Sequence, residues 1–211
     1  DKIFYVLLAY RERIIDLKKD PRFRYIMVFK NHGRAAGASL EHSHSQLIAL
    51  PVVPQMISSE IDGAASYYHF RERCVYCDVI AQEMSQNVRV VGQNGDFIVI
   101  SPYAPRTPFE MWVLPKTHDS DYSRQDDKSL SSLAAILAET LRRLDAIIPG
   151  VSYNCVLHTN PLRSSNLDHY HWHLEIVPKL TSIAGFEWGT GFYINPMPPE
   201  EATLYMKEAK L

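Results

Sequence analysis

Between residues 3 and 19, Phe4, Leu7, Leu8, Ile14, Ile15 and Leu17 are interleaved with Arg11, Glu12, Arg13 and Asp16. That spacing predicts an amphipathic helix, which Asp20-Pro21 would end. The run Arg24 to Lys30 predicts a buried strand, Asn31 to Ala38 a glycine-containing loop, and Leu40 to Leu50 a second strand. Residues 51–70 hold Pro54, Ser58, Ser59 and Gly63 with only a weak helical pattern, and read as a connector. Short β-rich runs follow at 88–91 and 97–101, joined through Gly92-Gln93-Asn94-Gly95 as a hairpin, with a third strand at 109–114. Residues 129–148 have the strongest helical pattern, with Leu130, Leu133, Ile136, Leu137, Leu141 and Leu144 on one face and Pro149-Gly150 as the stop. Strands at 153–158 and 170–177 complete the series.

The order helix, strand, loop, then a His-x-His strand ending in proline thus occurs twice. An offset of 127 pairs Leu40 with Leu167, His42 with His169, His44 with His171 and Pro51 with Pro178. An offset of 129 pairs Asn31 with Asn160, His42 with His171 and His44 with His173. Both registers run without a gap near the histidines, so the sequence does not choose between them. Ahead of its helix the second copy has Cys74-x-x-Cys77, three strands and His118, none of which the first copy has. The first unit is therefore expected to be incomplete. The chain, which goes from Asp1-Lys2 straight into Ile3-Phe4-Tyr5-Val6-Leu7-Leu8, is expected to be the inside of a longer protein.

Composition narrows the class without naming the chemistry. At 211 residues, with 46% hydrophobic and 22% charged residues, the chain suits one large or two small globular domains. A formal net charge of −2 and basic clusters no longer than Arg142-Arg143 argue against a nucleic-acid partner. No run approaches the roughly 20 apolar residues that cross a bilayer, and Asp1-Lys2 does not open a signal peptide, so no membrane role and a cytoplasmic location are expected.

Two sequence features point to chemistry. If residues 40–50 form a strand, alternation sets His42, His44 and Gln46 along one face at about 7 Å spacing, suited to lining a site for an anionic ligand. Cys74 and Cys77, two of three cysteines, suit a metal half-site better than a disulfide framework. Trp112, Trp172 and Cys155 read as core, and His32, His69 and His158 have no assigned role.

The run Phe29-Lys30-Asn31-His32-Gly33, then Gly37-Ala38-Ser39, then His42-Ser43-His44-Ser45-Gln46, resembles the active-site strand of the galactose-1-phosphate uridylyltransferase family in the histidine-triad superfamily. The resemblance covers essentially the whole chain. The usual family motif is His-Pro-His, and Ser43 departs from it. That departure, the 49–54 run Ala-Leu-Pro-Val-Val-Pro and the 185–191 stretch Gly-Phe-Glu-Trp-Gly-Thr-Gly are similar to the plant ADP-glucose phosphorylase branch.

The resemblance implies an α+β fold of tandem histidine-triad-like units, each an antiparallel sheet with a packed helix. Residues 1–55 would be the C-terminal half of the first unit, 56–73 a connector, and 74–211 the second, zinc-binding unit. It implies His44 as nucleophile, and Asn31, Gly37, Ala38 and Ser39 at the nucleotide phosphates. Gln46 cannot protonate a leaving group, but it can donate to a phosphoryl oxygen that gathers charge, which favours transfer between phosphates over hydrolysis. Cys74, Cys77 and His118 are expected to bind zinc, with His171 or His169 as fourth ligand according to register, in a closed structural site. By the same resemblance, His42 would ligate a second zinc, and Phe186 and Glu187 would reach a partner subunit's site in a homodimer. The expected activity is UDP-glucose:hexose-1-phosphate uridylyl transfer through a nucleotidyl-histidine. The alternatives are an ADP-glucose phosphorylase using inorganic phosphate and a zinc-stabilised nucleotide-binding module without turnover.

Overall fold

The computed structural model describes residues 2–40 and 42–211. Its centre is a seven-stranded, wholly antiparallel sheet in the order β2-β1-β6-β7-β5-β4-β3. The strands are β1 (Tyr25–His32), β2 (Gln46–Leu50), β3 (Val90–Gln93), β4 (Phe97–Ile100), β5 (Met111–Pro115), β6 (Tyr153–His158) and β7 (His173–Pro178). Pairing of β1 with β6 fuses the two repeats into one sheet.

Helices α1 (Lys2–Leu17), α4 (Asp127–Ile147) and α6 (Pro199–Glu208) cover one face. Period-two alternation delivers Val28, Val113, Leu157, Leu174 and Ile176 to them, and the leucine stripe of α4 meets these residues with Leu130, Leu133 and Leu144 fully buried. Asp126 caps α4 by accepting from the Ser129 amide at 2.7 Å. On the opposite face, α3 (Val75–Gln86) and Ala64 of α2 (Gln55–Arg71) pack Tyr76, Ile80 and Cys74 against Ile98, Ile100 and Leu114. The β2-β1-β6 end of that face remains partly open, with Phe29, Asn31, Asn154 and Val156 half-buried and Ile48 48% exposed.

Three expectations change. Residues 51–70, read as a connector, hold all but the last residue of the 17-residue helix α2, whose hydrophobic stripe is too weak to stand out because few of its side chains are buried, Ile57 and Ala64 among them. The strand expected at 40–50 begins only at Gln46, because the last β1–β2 pair is Phe29–Gln46 and β1 thereafter pairs with β6 alone. His42 and His44 therefore precede the strand, and strand alternation is not what orients them.

The registers are also resolved. Gln46 pairs with Phe29, and Glu175 pairs with Val156. His44 Nδ1 and His173 Nδ1 each lie 3.0 Å from the carbonyl two residues earlier, which equates these two histidines and offsets the histidine segments by 129 (173 − 44). With Gln46 opposite Phe29 and Glu175 opposite Val156, the preceding strands are then offset by 127 (156 − 29) and the second loop is two residues longer. His171, His173 and Glu175 stand where His42, His44 and Gln46 do, and Asn31 corresponds to His158 rather than to Asn160.

Candidate active site

His44 is half-buried just ahead of β2, and its Nδ1 lies 3.0 Å from the His42 carbonyl. A carbonyl only accepts, so Nδ1 holds a proton, and the tautomer this selects for the neutral ring carries its lone pair on Nε2. The segment is held from behind: the Lys30 ammonium donates to Ser43 Oγ and, at 3.4 Å, to the His44 carbonyl, and Tyr10 Oη donates to Ser45 Oγ at 2.5 Å. Partial burial pushes the Lys30 amine down from its ordinary range. Gln46 opens β2 with its side chain on the open sheet face, in one cross-strand row with Phe29, Val156 and Glu175.

Two clefts flank this segment. One, of about 620 Å³, is lined by Asn31, Gly33, Ala38, Ser39, His42 and Ser43 among others. The other, of about 610 Å³, lies toward α1 and includes His44, Gln46, Lys30 and Cys155. The short turn Arg34–Ala36 shapes the first. Gly33, at φ 78°, lies so near Ser152 that an added Cβ would come within 2.1 Å of its Oγ, and Gly37 ends the turn at φ 82°. Asn31, Gly37, Ala38, Ser39, His42, His44 and Gln46 are thus gathered in one neighbourhood. Phe186 and Glu187 are not: they lie on α5 (Gly185–Thr190), beyond β7, in an exposed stretch with Trp188 and Phe192.

Cys74, Cys77, His118 and His171 bring four ligand atoms within 4.8 Å of one another. Cys77 Sγ lies 3.4 Å from His118 Nδ1 and 3.7 Å from His171 Nδ1. Those are close to the edges, about 3.5 Å, of a tetrahedron with metal–sulfur and metal–nitrogen bonds of about 2.3 and 2.0 Å. His171 Nε2 donates to the Pro115 carbonyl at 2.8 Å, which turns Nδ1 toward the sulfurs. The hydrogen bond between the two sulfurs lowers the Cys74 thiol's pKa and raises that of Cys77. The donor set fits a closed tetrahedral metal. His169 is elsewhere, edge-on to Tyr68.

A third cluster escaped sequence reasoning. His158 Nδ1 lies 2.8 Å from Glu60, and its Nε2 lies 3.4 Å from Glu175. Tyr76 and Tyr170 donate to Glu60 at 2.8 and 2.9 Å, and Arg106 bridges Glu110 and Glu175. Burial opposes charge on His158, yet its bonds to Glu175 and Glu60 raise it to about 10. Glu60, despite its own burial, is lowered to about 2 by His158, and Glu175 is likewise lowered. His173, stacked 4.7 Å from His158, is pushed down by burial. In the sequence His173 stood out only as a repeat of His44, His158 had no assigned role, and Glu60 sat unremarked in the supposed connector.

Residues 7–209 match a family described only as a domain of unknown function, DUF4921. Over 208 residues the chain is 39% identical to the ADP-glucose phosphorylase of Arabidopsis thaliana, covering 98% of this chain and 58% of that protein. It is 29% identical to the galactose-1-phosphate uridylyltransferase of Thermotoga maritima, covering 95% and 65%. A crystal structure of the Arabidopsis ADP-glucose phosphorylase with bound ADP-glucose matches at TM-score 0.93 and 38% identity, over 99% of this chain and 67% of that one. A uridylyltransferase structure matches at TM-score 0.92 and 31% identity, over 98% and 67%. The chain belongs to the galactose-1-phosphate uridylyltransferase family. It spans about three fifths of the length of the curated family members it matches. Among the described residues, no helix is long and apolar enough to cross a membrane.

Proposed function

We propose that the protein transfers a nucleotidyl group from a nucleoside-diphosphate sugar, through a covalent nucleotidyl-His44, to a phosphate acceptor. The observation that carries this reading is the hydrogen bond from His44 Nδ1 to the His42 carbonyl, which in the neutral ring leaves Nε2 as the nucleophilic nitrogen, between the cleft lined by Asn31, Ala38 and Ser39 and the one that His44 itself lines. In the first step Nε2 attacks the α-phosphorus, and the bond from that phosphorus to the sugar phosphate breaks. Sugar 1-phosphate leaves as an anion without needing a proton. In the second step an oxygen of the acceptor phosphate attacks the same phosphorus, and the N–P bond breaks, restoring His44. Gln46 donates to the phosphoryl oxygen on which charge gathers; Asn31, Ser39 and the amides after Gly37 hold the phosphates.

The 39% identity to a plant ADP-glucose phosphorylase supports ADP-glucose as donor and inorganic phosphate as acceptor. The uridylyl reading expected from the sequence, with UDP-glucose and a hexose 1-phosphate, is the second reading, supported by the 29% identity to a bacterial uridylyltransferase. Zinc at Cys74, Cys77, His118 and His171 would serve structure, a closed site leaving no position for a reacting water. His42 as a second zinc ligand, and Phe186 and Glu187 acting across a homodimer, complete the proposed arrangement.

Full-length protein incubated with α-labelled ADP-glucose or UDP-glucose should acquire acid-labile label from its preferred donor, and His44→Asn should abolish it. Absence of label from either donor on folded, metal-loaded protein would overturn the reading.

A further inference from the structure

Asn31 and Asn154 are direct cross-strand partners on β1 and β6, one from each repeat. Asn154 Nδ2 donates at 2.7 Å to Asn31 Oδ1 and at 2.9 Å to the carbonyl of Ala36, a buried residue of the turn that shapes the cleft. The Ala36 carbonyl can only accept, so it compels Asn154 to turn its NH2 inward. The second N–H of that group then meets Asn31, which must present its oxygen. The Asn31 NH2 is left facing the cleft, with Nδ2 3.9 Å from where a Cβ on Gly37 would stand. Flipping Asn31 would set NH2 against NH2, and flipping both would set the Asn154 oxygen against the Ala36 carbonyl.

We infer that Asn154, contributed by the second repeat, is a positioning residue that makes Asn31 a donor toward the substrate phosphates. This rests on the proposed function for the identity of the ligand. An inverted Asn31 would offer a phosphate its oxygen, acceptor against acceptor. A phosphate-binding amide acts alike on bound substrate and transition state, so its misorientation should raise KM and leave kcat little changed.

The test uses the full-length, metal-loaded protein with ADP-glucose, then UDP-glucose, as probes, measuring equilibrium binding and the KM and kcat of labelling. Asn154→Asp, which sets a carboxylate against Asn31 and Ala36, should weaken binding and raise KM by roughly 10- to 100-fold, with kcat within about threefold of wild type. Asn154→Ala, which merely frees Asn31, should cost less. In an Asn31→Ala background, with no amide to orient, Asn154→Ala should add under about twofold. The inference is overturned if Asn154→Asp binds nucleotide sugar as wild type does, or if Asn154→Ala costs the same with and without Asn31. Should Asn154→Asp fail to fold, the alanine cycle decides alone. A wild type that binds nucleotide sugar but never becomes labelled overturns the proposed function while leaving the binding cycle decisive for Asn154; one that binds neither sugar overturns both.

Discussion

His44 and His173 each make a 3.0 Å hydrogen bond from Nδ1 to the carbonyl two residues earlier, yet one ring stands half-buried beside two clefts and the other is enclosed by Tyr76, Trp112 and His158. The residues at matching positions explain the contrast. Around His44 stand Gln46 and Asn31, neutral amides that can donate to an incoming anion. Around His173 stand Glu175 and His158, of opposite charge, which satisfy each other along with Glu60 and Arg106. One backbone therefore yields a site open to an incoming anion and a site already neutralised from within. Exposure and the choice of amide over carboxylate, more than the histidine itself, separate chemistry from packing.

If this contrast is right, changes in the first segment should alter rate and leave stability nearly untouched, and changes in the second should do the reverse. Gln46→Ala should slow labelling by about 10²- to 10³-fold, the effect of losing one preorganised donor, with little change in melting temperature. Cys77→Ser, or stripping metal with a chelator, should lower the melting temperature by about 10 °C or more, since metal binding is coupled to folding. Labelling per folded molecule at low temperature should survive; an inactive but fully folded Cys77→Ser protein would break the comparison.

The buried cluster predicts a pH signature. His158 is raised from 6.5 to about 10 on folding, so its contribution to stability is complete below about pH 6.5 and is lost as pH rises through about 10. Glu60 is lowered from 4.5 to about 2, so its contribution is complete above about pH 4.5 and is lost as pH falls toward 2. Denaturation midpoints of wild type should therefore decline between pH 6.5 and 9, and those of His158→Gln should lie lower at pH 6 and lack that alkaline decline. A parallel decline in both proteins would assign it to other groups. The smallest effect is expected at Lys30: replacing it with Met, which removes its bonds to Ser43 and the His44 carbonyl, should slow labelling roughly 2- to 10-fold with melting unchanged.

Much of the scaffold was legible in sequence because its signals are local. The leucine stripe of α4, the buried run of β1 and the hairpin glycines report on burial or turning within a few residues, and the structure places elements there. The Cys-x-x-Cys spacing likewise marked two of the four donor atoms that the fold brings within 4.8 Å of one another. α2 was missed because few of its side chains are buried, and strand alternation failed at residues 42–45 because the pairing of β2 with β1, which sequence does not display, ends at Phe29.

What the sequence determined by itself was the inventory: two repeats, a histidine segment ending in an amide, and the thiols and imidazoles of a tetrahedral site. What only the tertiary structure decided was which of these meet. The two-residue difference in loop length shifts the two halves of each repeat by opposite amounts, so no single offset could have aligned Asn31 with His158 and His44 with His173 together. It also took the pairing of β1 with β6 to bring Asn154 against Asn31 and Ala36, more than a hundred residues away in the chain. Hydrogen-bond direction and charge neutralisation depend on distances of a few ångströms between strands, and such distances exist only once the sheet is assembled.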